Sequence, residues 1–288
     1  MDPSELLTEL RPLAGGYSGE TYLSRVGADE VVVRIYAGRP GRRDAEGRFS
    51  ARPAEVEAAL LTLVRGLLPV PRVLEVRRPD NRVPGAELPA MLICERLPGV
   101  CGEEYYRDAD AGARAALGER LGGLLADLAG MPLLRAGFFI DGELTVQPFG
   151  PEAEDLWLWA EAHLLSQPAG ASDHSGAESW LSARAALQRL CAQAQARLDL
   201  LTRVCLVHGD FNLKNLLIDP ASGQITGLLD WEFAHAGNPA TDLGNLLRQA
   251  TEPADAGYAA AVLAAYAARR GGSVEELRLL AEAADLYA

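Results

Sequence analysis

Between Val207 and Leu216 the chain places His208, Asp210, Asn212, Lys214 and Asn215 in one short polar loop. The surrounding segment reads RVCLVHGDFNLKNLLID. Val204, Leu206 and Val207 read as the end of a buried strand, and Leu216, Leu217 and Ile218 as the start of another. Asp210 opens a D-x-x-x-x-N run that ends at Asn215, and a later strand delivers LLD with Asp230 at its C-terminal end. DPASG at 219–223 reads as the hairpin turn joining those two strands, which brings Asn215 and Asp230 together. One amide oxygen and one carboxylate, with water and phosphate at the other positions, suit Mg²⁺. Asp210 is then placed to accept a proton from an incoming hydroxyl. These are the working parts of a phosphoryl-transfer site. The bland reading of the same loop is an ordinary turn.

Lys214 adds a compositional signal. Of 27 basic residues, 26 are Arg and one is this Lys. An ammonium is a point charge and a guanidinium a planar fork, so the choice points to a need for an ammonium at that position. Lys214 joins Asp210 as a candidate catalytic residue, acting on transition-state charge or on the acceptor's surroundings. Chance placement is the alternative.

The whole chain sets bounds on what such a loop can belong to. At 288 residues it is long for one core and suits two lobes. Hydrophobic content of 49% supplies a sizeable interior. A net charge of −13 argues against nonspecific nucleic-acid binding, which wants a basic face. No run of 18 apolar residues occurs, so no membrane span is expected. The opening MDPSELLTEL is acidic and lacks an apolar signal core. Cys94, Cys101, Cys191 and Cys205 show no C-x-x-C or zinc spacing, so reduced thiols in a cytoplasmic protein are expected. A monomer or homodimer is expected.

The elements that must position the loop follow from periodicity. Residues 9–14 and 21–36 read as strands, the second stretch a hairpin about Gly27-Ala28-Asp29. A helix is expected from about Pro53 to Arg65, with strands in PVPRVLEVRR and LPAMLICERL. A short linker is expected near Arg96–Gly102. After it, helices are expected over 108–129, 152–166, 177–200, 239–250, 255–270 and 273–286, with the strand-loop-strand unit among them. The reading is an α+β chain in two lobes: a small β-rich N-terminal lobe, 1–97, and a larger helical lobe, 98–288.

With both motifs in view, HGDFNLKN followed by LLDWE resembles the aminoglycoside phosphotransferase and choline kinase family. A eukaryotic protein kinase would show D-F-G where this chain has Asp230-Trp231-Glu232, and an A-P-E element beyond. The resemblance implies a bilobal protein-kinase-like fold and a kinase that uses ATP, with GTP the alternative, and Mg²⁺ to phosphorylate a hydroxyl of a small molecule. It implies that AGGYSGETYL is a nucleotide-positioning loop, with Gly15, Gly16, Ser18 and Gly19 at the phosphates. Arg34 in EVVVRIY matches the position of the phosphate-binding lysine, and Glu57 is its expected helix partner, with Glu55 the alternative. AMLICERLPG resembles the hinge, where backbone at Glu95–Leu97 meets the adenine edge. Asn215 and Asp230 are the implied metal ligands and Asp210 the base. His208 is expected to support the loop, and Asp242 in GNPATDLGN to tie backbone N–H groups. Two rivals are a protein Ser/Thr kinase-like enzyme and a nucleotide-binding pseudokinase or scaffold.

The acceptor is less legible. Acids at Glu152, Glu154, Asp155, Glu161 and Asp173 precede the catalytic loop, and the excess of 40 acidic over 27 basic residues would steer cations inward. That favours an aminoglycoside-like or amino-alcohol acceptor; a solvated surface is the bland reading. Trp157, Trp159 and His163 read equally as core or as acceptor-pocket lining.

Overall fold

The structure is a computed structural model that describes residues 10–13, 21–36, 53–79, 88–162, 174–248, 250 and 252–287. Gly15, Gly16, Ser18, Gly19, His163 and Asp173 lie outside the described residues. The chain forms two compact units. One draws on Met1–Asp108, Phe139–Gln147 and Leu213–Phe233, the other on Ala109–Phe138, Pro148–Asn212 and Ala234–Ala288.

The first unit is built on five strands: β1 (Arg11–Pro12), β2 (Thr21–Val26), β3 (Asp29–Ile35), β4 (Val73–Arg77) and β5 (Met91–Glu95). They lie in the order β1-β2-β3-β5-β4, and every pairing is antiparallel. The β2–β3 hairpin turns through Gly27 at φ +63°, a left-handed value that glycine adopts without Cβ strain. Side chains alternate across a strand, so Val31 and Val33 share one face of β3, where they pack on Met91 and Ile93. Arg34 falls on the other face.

Helix α1 (Pro53–Val64) follows, with Pro53 in the first turn where its missing N–H costs nothing. Its buried positions, Ala54, Glu57, Ala58, Leu60, Leu61 and Val64, recur every three or four residues and make one inward stripe. Glu57 is the anomaly, a carboxylate inside that stripe. The expected linker near residue 100 is structured instead. Val100–Cys101 forms β6, and helix α2 (Gly102–Asp108) follows directly. β6 pairs with β10 (Leu216–Ile218), which pairs in turn with β11 (Ile225–Leu228). Gly102 is required because a Cβ there would meet the Leu213 carbonyl oxygen at 2.5 Å.

The second unit is mainly helical: α3 (Ala111–Leu128), α4 (Pro151–Glu154), α5 (Leu156–Ala160), α6 (His174–Leu198), α7 (Ala240–Leu247), α8 (Ala256–Arg270) and α9 (Val274–Ala284). Strands β7 (Gly137–Phe139) and β8 (Val146–Pro148) lie at the two ends of the Phe139–Gln147 segment that belongs to the first unit. Strands β9 (Cys205–Val207) and β12 (His235–Gly237) belong to the second, and β12 pairs antiparallel with β9 and, at Gly137 and Phe138, with β7. Gly118 and Gly122 bring α3 and α8 together, since a Cβ at Gly122 would lie 2.2 Å from the Val262 carbonyl oxygen. The single helix expected over 152–166 is two short ones. Asp155 breaks it at φ −125° and caps α5, its carboxylate accepting from Trp157 N at 2.8 Å and Leu158 N at 2.9 Å.

Candidate active site

In the first unit the charged residues converge on Arg34. Its Nη1 donates to Glu57 Oε1 at 2.6 Å and its Nη2 to Asp230 Oδ1 at 2.8 Å. Glu57 therefore takes the partner position, while Glu55 accepts from Arg78 Nε at 2.6 Å. The second oxygen of Glu57 accepts from the Tyr36 hydroxyl at 2.5 Å. The Arg34 guanidinium carbon also lies 6.0 Å from the centre of the Tyr36 ring.

Electrostatics follow from burial. Burial alone would weaken the Arg34 charge, but Glu57, then Tyr36 and Asp230, outweigh it and hold the guanidinium above its ordinary value. The Glu57 side chain is 5% exposed. Burial pushes its carboxyl up, Arg34 and the Tyr36 hydrogen bond pull it back, and Asp230 and Glu232 add to the rise. Burial, then Glu57, push the Tyr36 hydroxyl well above its usual range.

Asn215 and Asp230 sit at one end of the β10–β11 hairpin. Leu216 pairs with Leu228, and Leu229 N donates to the Asn215 carbonyl at 2.8 Å. Asp230 leaves the strand at φ +65°, a left-handed conformation that Asp tolerates better than most residues and that turns its carboxylate away from the strand path. Trp231, fully buried, pins this corner by donating Nε1–H to the Leu228 carbonyl at 3.2 Å. Together the two side chains could offer a metal one amide oxygen and one carboxylate. No group of three His, Cys, Asp or Glu side chains could cage a metal among the described residues. Two hard oxygen donors fit Mg²⁺, which keeps waters and phosphate oxygens in its remaining positions.

In the second unit, Asp242 organises the loop that carries Asp210. Its Oδ2 accepts from His208 N at 2.8 Å and its Oδ1 from Gly209 N at 2.9 Å. Burial pushes this carboxyl up to about 7, against those two N–H groups, and the charge on Asp210 adds to the rise. Gly209 stands at φ +85°, which explains a glycine between His208 and Asp210. His208 is fully buried, and its Nδ1 accepts from Asp210 N at 3.3 Å, so it supports the loop. Asn212 Nδ2 donates to Asp210 Oδ1 at 2.6 Å and to the Asp210 carbonyl at 3.1 Å. That bond aims the carboxylate.

A family comparison covers both units. The model of the phosphotransferase enzyme family, APH, matches residues 9–280. The chain belongs to that phosphotransferase family. The fold agrees. Aminoglycoside-3'-phosphotransferase of type VIII aligns with a TM-score of 0.56 at 22% identity, over 97% of this chain and 93% of that one. The GDP and kanamycin complex of APH(2")-IIia aligns at 0.60 and 18%, over 97% and 83%. A thermostable mutant of APH(4)-Ia, in ternary complex with ADP and hygromycin B, aligns at 0.56 and 18%, over 97% and 86%. The α+β kinase-like fold expected from the motifs is thus the fold of this chain.

Curated relatives are larger proteins. Acyl-CoA dehydrogenase family member 10 of Mus musculus is 25% identical over 247 residues, which is 82% of this chain and 20% of that protein. Family member 11 of the same species is 48% identical over 42 residues, 15% of this chain and 5% of that protein.

The remaining candidates of this phosphotransferase-family chain fall as follows. Glu95 uses its N–H on the Arg72 carbonyl at 3.0 Å, and its carboxylate on Arg72 N at 2.7 Å and Arg65 at 3.3 Å. Its amide is therefore committed to the turn before β4. Leu97 lines an open groove of about 640 Å³ with Thr62, Arg65, Gly66, Leu68, Pro69, Val70 and Thr226, and none of the charged candidates reaches it. Lys214 is exposed, and its carbonyl faces the Cys101 thiol at 3.8 Å. Trp157 and Trp159 pack on a core cluster of Leu156, Ala160 and Cys191. Glu161 pairs with Arg184, which lies 5.2 Å from the Trp157 ring, so Asp155 and Glu161 both serve local structure. Sequence reasoning missed Tyr36 and the role of Asn212. The signal for Tyr36 was its place two residues beyond Arg34, on the same strand face.

Proposed function

We propose that this chain is a small-molecule kinase that transfers the γ-phosphate of ATP or GTP to a hydroxyl group. The observation that carries the reading is Arg34, a half-buried guanidinium fixed through one nitrogen by Glu57 and bonded through the other to Asp230. A guanidinium nitrogen held in that orientation suits a charge-assisted hydrogen bond to a phosphate oxygen. Family membership supports it, as do fold neighbours solved with ADP, AMP-PNP and GDP.

In this reading residues 1–97 bind the nucleotide, with Gly15, Gly16, Ser18 and Gly19 over the phosphates. The hinge meets the base through the Glu95 carbonyl and the Leu97 N–H. Arg34 holds phosphate oxygens in a fixed orientation. Residues 98–288 carry catalysis and the acceptor. Asp210, aimed by Asn212, takes the proton from the acceptor hydroxyl as its oxygen attacks the γ-phosphorus, and the bond to the nucleoside diphosphate breaks. Lys214 offsets negative charge at the transition state. Asn215 and Asp230 would hold Mg²⁺, which supplies charge neutralisation on the phosphates when bound. The protein is cytoplasmic and monomeric or homodimeric, and nucleic acid is not a partner; no described helix is long and apolar enough to cross a membrane.

Hygromycin B and kanamycin, bound by two fold neighbours, are polyhydroxylated amines, and an amino sugar or amino alcohol is the favoured acceptor class. The test is nucleoside triphosphate turnover with Mg²⁺ against amino sugars, amino alcohols, neutral sugars and hydroxyacyl thioesters, the last chosen for the relatives' names. Acceptor-dependent release of ADP or GDP is expected. Nucleotide binding without turnover on any acceptor favours the scaffold reading, and no binding of either nucleotide at millimolar concentration ends the kinase reading.

A further inference from the structure

Tyr36 has no assigned part in phosphoryl transfer, yet it completes the charged cluster. It follows Arg34 by two residues, so both side chains leave the same face of the sheet edge where β3 ends. Glu57 is 4% exposed and its two oxygens are divided: Oε1 to Arg34 Nη1 at 2.6 Å, Oε2 to the Tyr36 hydroxyl at 2.5 Å. The division matters because a carboxylate and a guanidinium otherwise pair through two parallel bonds. With Oε2 occupied by Tyr36, Glu57 engages one Arg34 nitrogen, and Nη2 is left facing Asp230 at 2.8 Å.

We propose that Tyr36 is a positioning residue: by occupying one oxygen of Glu57 it prevents a two-bond Glu57–Arg34 pair and keeps the second Arg34 nitrogen turned toward the phosphate site. Without the hydroxyl, Oε2 is a buried acceptor with no donor, and such groups are expensive to leave unpaired. The nearest remedy is Arg34 Nη2. Arg34 would swing onto Glu57 and be withdrawn from Asp230 and from phosphate. This inference rests on the kinase reading, because it assumes that Arg34 binds phosphate.

The experiment measures dissociation constants for MgATP and for adenosine by titration calorimetry, in wild type, Tyr36→Phe, Arg34→Ala and the double variant, with thermal melts of each. Adenosine carries the base and ribose but no phosphate. Tyr36→Phe is expected to weaken MgATP about ten-fold, the scale of one charge-assisted hydrogen bond, and to leave adenosine within about two-fold. In the Arg34→Ala background the same change should add less than about two-fold, because Tyr36 acts through Arg34. A general loosening of the sheet would weaken both ligands and add to Arg34→Ala. Equal losses for both ligands, full additivity, unchanged MgATP affinity, or a Tyr36→Phe chain that melts without cooperativity each overturns the proposal. If wild type binds MgATP and only the variant pattern fails, the kinase reading stands and the role of Tyr36 falls. If wild type binds neither MgATP nor adenosine, both fall together.

Discussion

Replacing Arg34 with Ala should destabilise the chain strongly at neutral pH and less at acid pH. The Arg34 side chain is 15% exposed and that of Glu57 5%, so water does not replace the lost cation at Glu57. Removing one member of a buried pair leaves the other charge uncompensated, which costs about 3–5 kcal/mol. The pH dependence has a definite sign. Burial already raises the Glu57 carboxyl above its ordinary 4.5, and Arg34 opposes that rise. Without Arg34 the folded value climbs further. A carboxyl with a raised folded pKa binds more protons in the native state, so its contribution is fully present below 4.5 and is lost as pH rises through the folded value. The deficit of Arg34→Ala against wild type should therefore shrink between pH 8 and pH 5, by about 1.4 kcal/mol for each unit that Glu57 gains. Urea unfolding of both proteins at the two pH values measures it. Adding Glu57→Gln to Arg34→Ala removes the stranded charge and should recover about 1.5 kcal/mol or more at pH 8. A deficit equal at both pH values, with no recovery in the double variant, would refute the buried-pair reasoning.

Asp210→Asn should lower turnover by about 10²–10⁴ with little change in nucleotide affinity, whereas Asp230→Asn should weaken metal-dependent nucleotide binding; steady-state kinetics and calorimetry separate the two, and equal mild effects would undo the division of roles. Arg34→Lys should restore part of the activity lost in Arg34→Ala, because charge returns without the fork; kinetics indistinguishable from Arg34→Ala would count against phosphate contact. Asp242→Asn turns one carboxylate oxygen into a donor facing an N–H of His208 or Gly209, so unfolding experiments should show a loss of about 1–3 kcal/mol and turnover should fall as the Asp210 loop loosens. Gly122→Ala forces a Cβ against the Val262 carbonyl oxygen at 2.2 Å and should destabilise by about 1–3 kcal/mol in a thermal melt, while Gly257→Ala, with nothing within 4 Å, should be neutral or stabilising.

Local pattern carried much of this molecule. The alternation in TYLSRV and DEVVVRI, with Gly27 between them, specifies a hairpin without reference to anything distant, because side-chain period and turn geometry are short-range properties. The DPASG turn likewise places Asn215 and Asp230 at one hairpin end by register alone. Other choices were not local. Glu55 and Glu57 lie two positions apart on α1, about 200° around the axis, and which of them meets Arg34 depends on how that helix is rolled against the sheet. Packing of Ala58, Leu61 and Val64 buries the Glu57 side, while Glu55 turns to Arg78. The commitment of Asp155 and Glu161 to a helix cap and to Arg184 was invisible for the same reason: a carboxylate reads as a surface charge until its partners arrive from elsewhere in the chain. Tyr36 is the clearest case. In sequence it is one more β-former at a strand end, and only the fold brings the Glu57 carboxylate, 21 residues away, within reach of its hydroxyl.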